Sequence, residues 1–204
     1  MDAADGGRHP DAPTLMDALA VILFVFAWGF AEIRTQARER KRRRPTRARA
    51  DRGSLVGLYA SITVGYSLAF AVSFSPFGRL PGGQPLWLLV GAACIAGGLS
   101  IRHRAMATLA DSFTYQVEFQ ADHRLIETGP YRRIRHPGYL GQLLVLLGVG
   151  IALASWLSIV GLMVPVLVAF LWRIRVEEEA LRGEFAEWFD SYATRTWRLI
   201  PGLY

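Results

Sequence analysis

Four runs with few or no charges divide the chain. Thr14 to Ile33 reads TLMDALAVILFVFAWGFAEI, with Asp17 and Glu32 near its ends, and has about the 20 residues a bilayer-spanning helix needs. Leu55 to Ser75 and Pro85 to Ile101 are uncharged, the second short and glycine-rich, as helix-packing faces within membranes often are. Tyr139 to Trp172 is a run of 34 residues without a charge. As one helix it would be about 51 Å long, against a hydrocarbon core of about 30 Å. It is therefore predicted to fold as a tight helical hairpin turning near Ala154, Ser155 and Trp156. These runs do not alternate as barrel strands do, and lipid leaves no backbone polar group open. The pattern predicts an all-α integral membrane bundle of five transmembrane helices, the last two paired, with cytoplasmic capping segments.

Charge placement orients the bundle. Arg34 to Arg52 carries ten basic residues against Glu39 and Asp51, whereas the loop around Arg79 carries one. The basic loop, residues 34–52, is expected in the cytoplasm. Five crossings then place the acidic tail, residues 1–13, outside, and put both the 102–136 stretch and the 173–204 stretch inside. A cleaved signal peptide fits poorly: the tail has no basic n-region, and no small-residue cleavage site follows the first run. The expected organisation is the tail, three helices within 14–101, and a chemistry-bearing region over 102–204 that contains the hairpin 139–172.

Composition narrows the chemistry. With 204 residues, 52% hydrophobic and a single cysteine, Cys94, the chain excludes a disulfide framework and a multi-thiolate zinc site. The net charge of +6 is concentrated in the arginine run. No aromatic residue is interleaved there, so it reads as a topology signal that contacts anionic lipid, and no nucleic acid partner is expected. Cys94 reads as packing, His103 as a solvated interface residue, and Trp188, Tyr192 and Trp197 as interfacial anchors.

Two extramembrane stretches remain. Arg102 to Arg135 is too charged to span and too apolar to be a solvated linker. Within it and just beyond, HRLIETGPYRRIRHPGY has turn signals at Thr128-Gly129-Pro130 and His136-Pro137-Gly138. Pro137 favours an extended His136, Gly138 permits close backbone approach, and a helix beginning at Tyr139 would offer amides to an anion; an ordinary kinked helix entry is the simpler alternative. On the far side of the hairpin, WRIRVEEEALRGEFAEWFDSY places Arg173 with Glu177, and Arg175 with Glu179, at i, i+4. A surface ion-pair ladder would explain this, but three successive carboxylates cannot share one face, so at least one is expected to turn into the bundle. No metal-ligand spacing accompanies them, and no metal is expected.

These residues resemble a known family. GPYRRIRHPGYLGQLL, followed after the hairpin by RIRVEEEAL, FAEWFDSY and the closing RLIPGLY, is similar to the isoprenylcysteine carboxyl methyltransferases and their bacterial relatives over roughly Gln116 to Tyr204. The resemblance implies an integral membrane enzyme that uses S-adenosylmethionine, releases S-adenosylhomocysteine, and holds it in a cytoplasm-facing pocket between the last helices and their caps. By motif position it implies a cofactor pocket lined by Tyr131, His136, Pro137, Gly138, Tyr139 and Glu177, with Glu178 beside it. Gln116 and the His123, Arg124, Leu125, Ile126 stretch would complete it. Arg173 falls at the substrate-facing arginine, and with Glu177 is the expected catalytic pair. The implied acceptor is a lipophilic or prenylated acid reached from the lipid; an amine or a thiol stays open. An NADPH-dependent sterol-type membrane reductase and a non-catalytic membrane scaffold are the alternatives. The first has an Asn where this chain has Pro137 and Gly138 before Tyr139.

Overall fold

In the computed structural model, residues 15–42, 46–49, 51–109, 118–120 and 126–204 are described. Five helices form the bundle: α1 (Leu15–Arg42), α2 (Ser54–Ser73), α3 (Gln84–Leu109), α4 (Pro137–Ala152) and α5 (Trp156–Thr194). A four-residue 3-10 turn, Gly129–Arg132, precedes α4. Two short strands, β1 (Thr46–Arg49) and β2 (Glu118–Gln120), pair antiparallel with Arg49 opposite Glu118. The class is all-α, with this ribbon as its one pair of strands among the described residues.

Helices α2, α3 and α5 are each long and apolar enough to cross a bilayer, and α4 is a shorter apolar helix. Large side chains point outward along them: Phe26 and Leu23 on α1, Val56 and Val64 on α2, Leu89 on α3, Val164 and Val168 on α5. An apolar surface of that extent suits lipid rather than water. At about 1.5 Å per residue the stretch of α5 from Trp156 to its break at Ala186 measures roughly 45 Å, so its charged end projects past the hydrocarbon.

Glycines set the closest helix contact. Gly91 and Gly98 on α3 meet Gly148 and Gly141 on the antiparallel α4. A Cβ on Gly98 would stand 2.6 Å from the Gly141 carbonyl oxygen, and one on Gly91 2.6 Å from that of Gly148. Seven-residue spacing keeps each pair on one seam, the small-residue solution expected where lipid gives no hydrophobic drive between helices. Leu162, Val166, Phe170 and Ile174 of α5 pack with Leu146 and Val149 of α4 in the core, and α2 lies against α5.

The structure moves several expected boundaries. The charge-rich stretch from Arg34 is helical to Arg42, because Arg, Lys, Glu and Ala are good helix formers once the apolar half has nucleated the helix. The expected loop 34–52 is thus the end of α1 plus β1; residues 43–45 and 50 lie outside the described residues, as does the tail 1–13. Helix α3 likewise runs on from Ile101 to Leu109. Helix α4 starts at Pro137 rather than Tyr139, with proline in the first turn, where its missing N–H costs nothing. The connection to α5 is Leu153 to Ser155, one residue earlier than expected. Ala154 has φ 50° there, and Ser155 caps α5 by accepting from the Ser158 amide. Beyond the bilayer α5 continues to a break in its backbone at Ala186, φ 43°, and a separate short helical stretch follows to Thr194.

The ends of the bundle differ. At one, Leu80 N–H donates to the Ala154 carbonyl and Trp156 N–H to that of Gly78, closing the α2–α3 loop onto the α4–α5 turn. At the other, the chain after α5 returns beside the residues that lead into α4. Arg135 N–H donates to Trp197 O at 2.7 Å, His136 N–H to Arg198 O at 3.0 Å, and Trp197 N–H to Arg133 O at 2.9 Å.

Candidate active site

That second end gathers the ionisable groups. Glu177 and Tyr139 face each other, the Tyr139 hydroxyl donating to Glu177 Oε2 at 2.5 Å. Arg173 Nε donates to the same hydroxyl at 3.0 Å. Arginine and carboxylate, one helical turn apart, are thus joined through a tyrosine from the neighbouring helix rather than directly. The other end of the guanidinium donates from one terminal nitrogen to Asp51 Oδ1 at 3.0 Å and to Ser54 Oγ at 2.8 Å. The Arg173 side chain is 3% exposed and that of Glu177 30%, so the relay runs from a buried cation to a carboxylate with an open side.

His136 sits beside this relay. It is buried, stacks on Tyr139 with ring centroids 5.4 Å apart and planes 4° from parallel, and places Nδ1 3.8 Å from Glu177 Oε2. Phe170 packs on Tyr139 from α5, and the Arg173 guanidinium lies over the same ring. Aromatic rings edged by a carboxylate suit a cationic or aromatic ligand.

The three successive carboxylates have three fates. Glu177 faces the relay. Glu178 turns into the protein, where Arg135 Nε donates to Oε1 at 2.8 Å, Arg198 Nε donates to Oε2 at 2.9 Å, and His136 Nε2 lies 3.4 Å away. Burial alone would raise its pKa, but the hydrogen bond and charge of His136 and the guanidiniums of Arg135 and Arg198 outweigh that and lower it to about 2. Arg135 also donates to the carbonyls of Ala193 and Thr196, so one carboxylate and one arginine tie together the segment before α4, the outer part of α5 and the closing segment. Glu179 points outward to Arg52 at 2.8 Å, both side chains well exposed.

The other expected residues fall as follows. Pro137 is buried in the first turn of α4. Gly138 has ordinary helical backbone, and a Cβ there would meet only the Ala105 methyl at 3.9 Å, so nothing in the protein itself demands glycine. The α4 amides expected to cradle an anion are in part occupied: those of Tyr139 and Leu140 both donate to His136 O. Tyr131, in the 3-10 turn, accepts from the Tyr192 hydroxyl on its carbonyl, and its own phenol is pushed up by burial, with the Glu177 charge adding to the effect. Ile126 is half-buried. Gln116, His123, Arg124 and Leu125 lie outside the described residues. Asp51 and Ser54 were missed by the motif reading. The one signal for Asp51 was an acidic residue amid ten basic ones. A second polar contact at this end, between Arg102 of α3 and Glu32 of α1, was also unmarked.

Comparison with known proteins agrees with this architecture. The family model described as phospholipid methyltransferase matches residues 86–187, half of the chain. The protein-S-isoprenylcysteine O-methyltransferase of Dictyostelium discoideum is 34% identical over 121 residues, covering 58% of this chain and 51% of that protein. The probable protein-S-isoprenylcysteine O-methyltransferase of Oryza sativa subsp. indica is 30% identical over 151 residues, covering 69% and 79%. Among solved structures, that of the eukaryotic intramembrane Ras methyltransferase, isoprenylcysteine carboxyl methyltransferase, superposes with a TM-score of 0.55 at 22% identity, covering 71% of this chain and 52% of that one. The chain thus spans about half the length of the Dictyostelium protein and of the solved methyltransferase. With α4, the relay residues Tyr139, Arg173 and Glu177, and nearly all of α3 inside the matched region, the chain belongs to the family of the isoprenylcysteine carboxyl and phospholipid methyltransferases.

Proposed function

We propose that the chain is an S-adenosylmethionine-dependent membrane methyltransferase that esterifies the carboxylate of a lipophilic, isoprenylcysteine-like acceptor at the cytoplasmic face, with the N-terminus on the opposite side. The observation that carries this reading is the Tyr139–Glu177 contact beside the buried Arg173, at the end where α5 leaves the bundle. The donor set fits the cofactor: Glu177 offers an anion to its positive groups, and His136, Tyr139 and Tyr131 offer aromatic surface. S-adenosylmethionine supplies, when bound, a sulfonium methyl as the electrophile.

The chain's residues then have a limited task. An acceptor α-carboxyl, with a reference pKa of roughly 3.5, is ionised at neutral pH, so no general base is demanded. Arg173 draws that carboxylate by its charge, and its planar fork is held in one orientation by bonds to Tyr139, Asp51 and Ser54 that a lysine could not reproduce. Tyr139 fixes Nε of the fork, and Glu177 fixes Tyr139. Opposite charges cancel along the reaction, so a dry surround, here Phe170 and Ile174, favours it over the same reaction in water. Entry from the lipid side between helices follows from an acceptor that is itself lipophilic.

A second reading, methylation of a lipid amine, is favoured by the description of the matching family and by the two carboxylates, Asp51 and Glu177, on the Arg173–Tyr139 relay. Labelled cofactor offered with matched lipophilic acids, amines and thiols separates the readings. A base-labile methyl ester on the acid supports ours, and label on the amine alone supports the second.

A further inference from the structure

We infer that Asp51, with Ser54, is a positioning residue for the Arg173 guanidinium, so that the site is completed by the connection between α1 and α2, outside the region shared with the family model. The inference rests on the methyl transfer proposed above. Asp51 reaches Arg173 across 122 positions of sequence, and residues 86–187, which carry the family match, do not contain it.

The geometry is that of a held carboxylate. Asp51 Oδ1 accepts from Arg173 at 3.0 Å and from Ser54 Oγ at 3.2 Å, and Oδ2 accepts from the Leu55 amide at 3.2 Å. The Asp51 carbonyl accepts from the Ser54 amide at 2.8 Å. The first turn of α2 thus orients Asp51, and Asp51 orients the arginine. Its side chain is 16% exposed, so the pair is screened little. A guanidinium held at Nε alone can still swing about that bond. Held also at a terminal nitrogen by Asp51 and Ser54, its plane is fixed, as directing one acceptor lone pair at an electrophile requires. The strand β1 ends at Arg49, two residues before Asp51, and its partner β2 lies between Gln116 and His123 in sequence. The ribbon therefore ties this connection to the segment in which the remaining cofactor contacts are expected.

The test compares the full-length wild type with Asp51→Asn, Asp51→Glu and Ser54→Ala in detergent, using farnesylated N-acetylcysteine as acceptor and S-adenosylhomocysteine as cofactor probe. Asp51→Asn is expected to lower kcat at least tenfold with a smaller change in acceptor KM, to leave the S-adenosylhomocysteine Kd within twofold, and to be partly rescued in Asp51→Glu. Phenylglyoxal labelling of Arg173, read on its peptide by mass spectrometry, should quicken at least fivefold in Asp51→Asn. A kcat/KM within twofold of wild type or above it, a parallel loss of cofactor affinity, or an unchanged labelling rate overturns the inference. A wild type that methylates nothing contradicts the proposed function instead, and the labelling rate then decides the role of Asp51.

Discussion

The Tyr139 hydroxyl stands between Glu177, 2.5 Å away, and Arg173, 3.0 Å away, as donor to the first and acceptor from the second. Removing that one oxygen leaves a carboxylate and a guanidinium each short of a partner. A buried group left unpaired costs about 1–3 kcal/mol, more when charged. Tyr139→Phe is therefore expected to lower kcat/KM by about ten- to a hundredfold while the ring, stacked on His136, keeps the fold intact. Steady-state kinetics with a melting curve on the same preparation checks both halves.

Arg173→Lys preserves charge but loses the fork. One ammonium on a flexible stem cannot reproduce bonds to Tyr139, Asp51 and Ser54 in one plane. Most turnover should disappear while S-adenosylhomocysteine still raises the melting temperature as in wild type. Near-normal turnover removes Arg173 from the mechanism.

Glu178 carries a pH signature. Its carboxyl is lowered from 4.5 to about 2 in the folded protein, so the ionised form is favoured by folding. The stabilisation is complete above pH 4.5 and is lost as pH falls toward 2, an effect on the order of 3 kcal/mol. Melting temperature followed over that window should fall more steeply for wild type than for Glu178→Gln, which starts lower. Parallel curves would refute the clamp. Glu179→Ala, which loses only an exposed pair with Arg52, should leave the curve unchanged.

The α3–α4 seam is tested by two adjacent glycines. A Cβ on Gly98 would stand 2.6 Å from a backbone oxygen, whereas one on Gly97 meets nothing within 4 Å. Gly98→Ala should lower stability by roughly 1–3 kcal/mol through overpacking, and Gly97→Ala should be neutral or slightly stabilising. Thermal melts of both in detergent give the comparison.

The apolar runs were legible because lipid permits few backbone solutions: long uncharged stretches imply helices, and 34 such residues imply a turn. The family resemblance singled out Tyr139, Arg173 and Glu177, which the structure brings within hydrogen-bond reach of one another, and the expectation that at least one of three carboxylates turns inward was met by Glu178. Three things were not legible. The basic extension of α1 to Arg42 looked like a loop because charge masks good helix propensity. The ribbon of β1 and β2 joins segments with no local sign of each other. Asp51 was hidden for the same reason: as a counter-charge in a basic run it looks solvated, and only the packing of α2 on α5 brings it to Arg173.

The measurement that bears most directly on the central claim, a methyl-donor pocket bounded by Tyr139, His136 and Glu177, is a titration of S-adenosylhomocysteine into detergent-purified wild type, Glu177→Ala and His136→Ala, read as a thermal shift and as Kd. The account predicts saturable binding to wild type, weakened at least tenfold in Glu177→Ala and measurably in His136→Ala, with both variants folded. Absence of saturable binding to wild type, or equal affinity in all three, would contradict it.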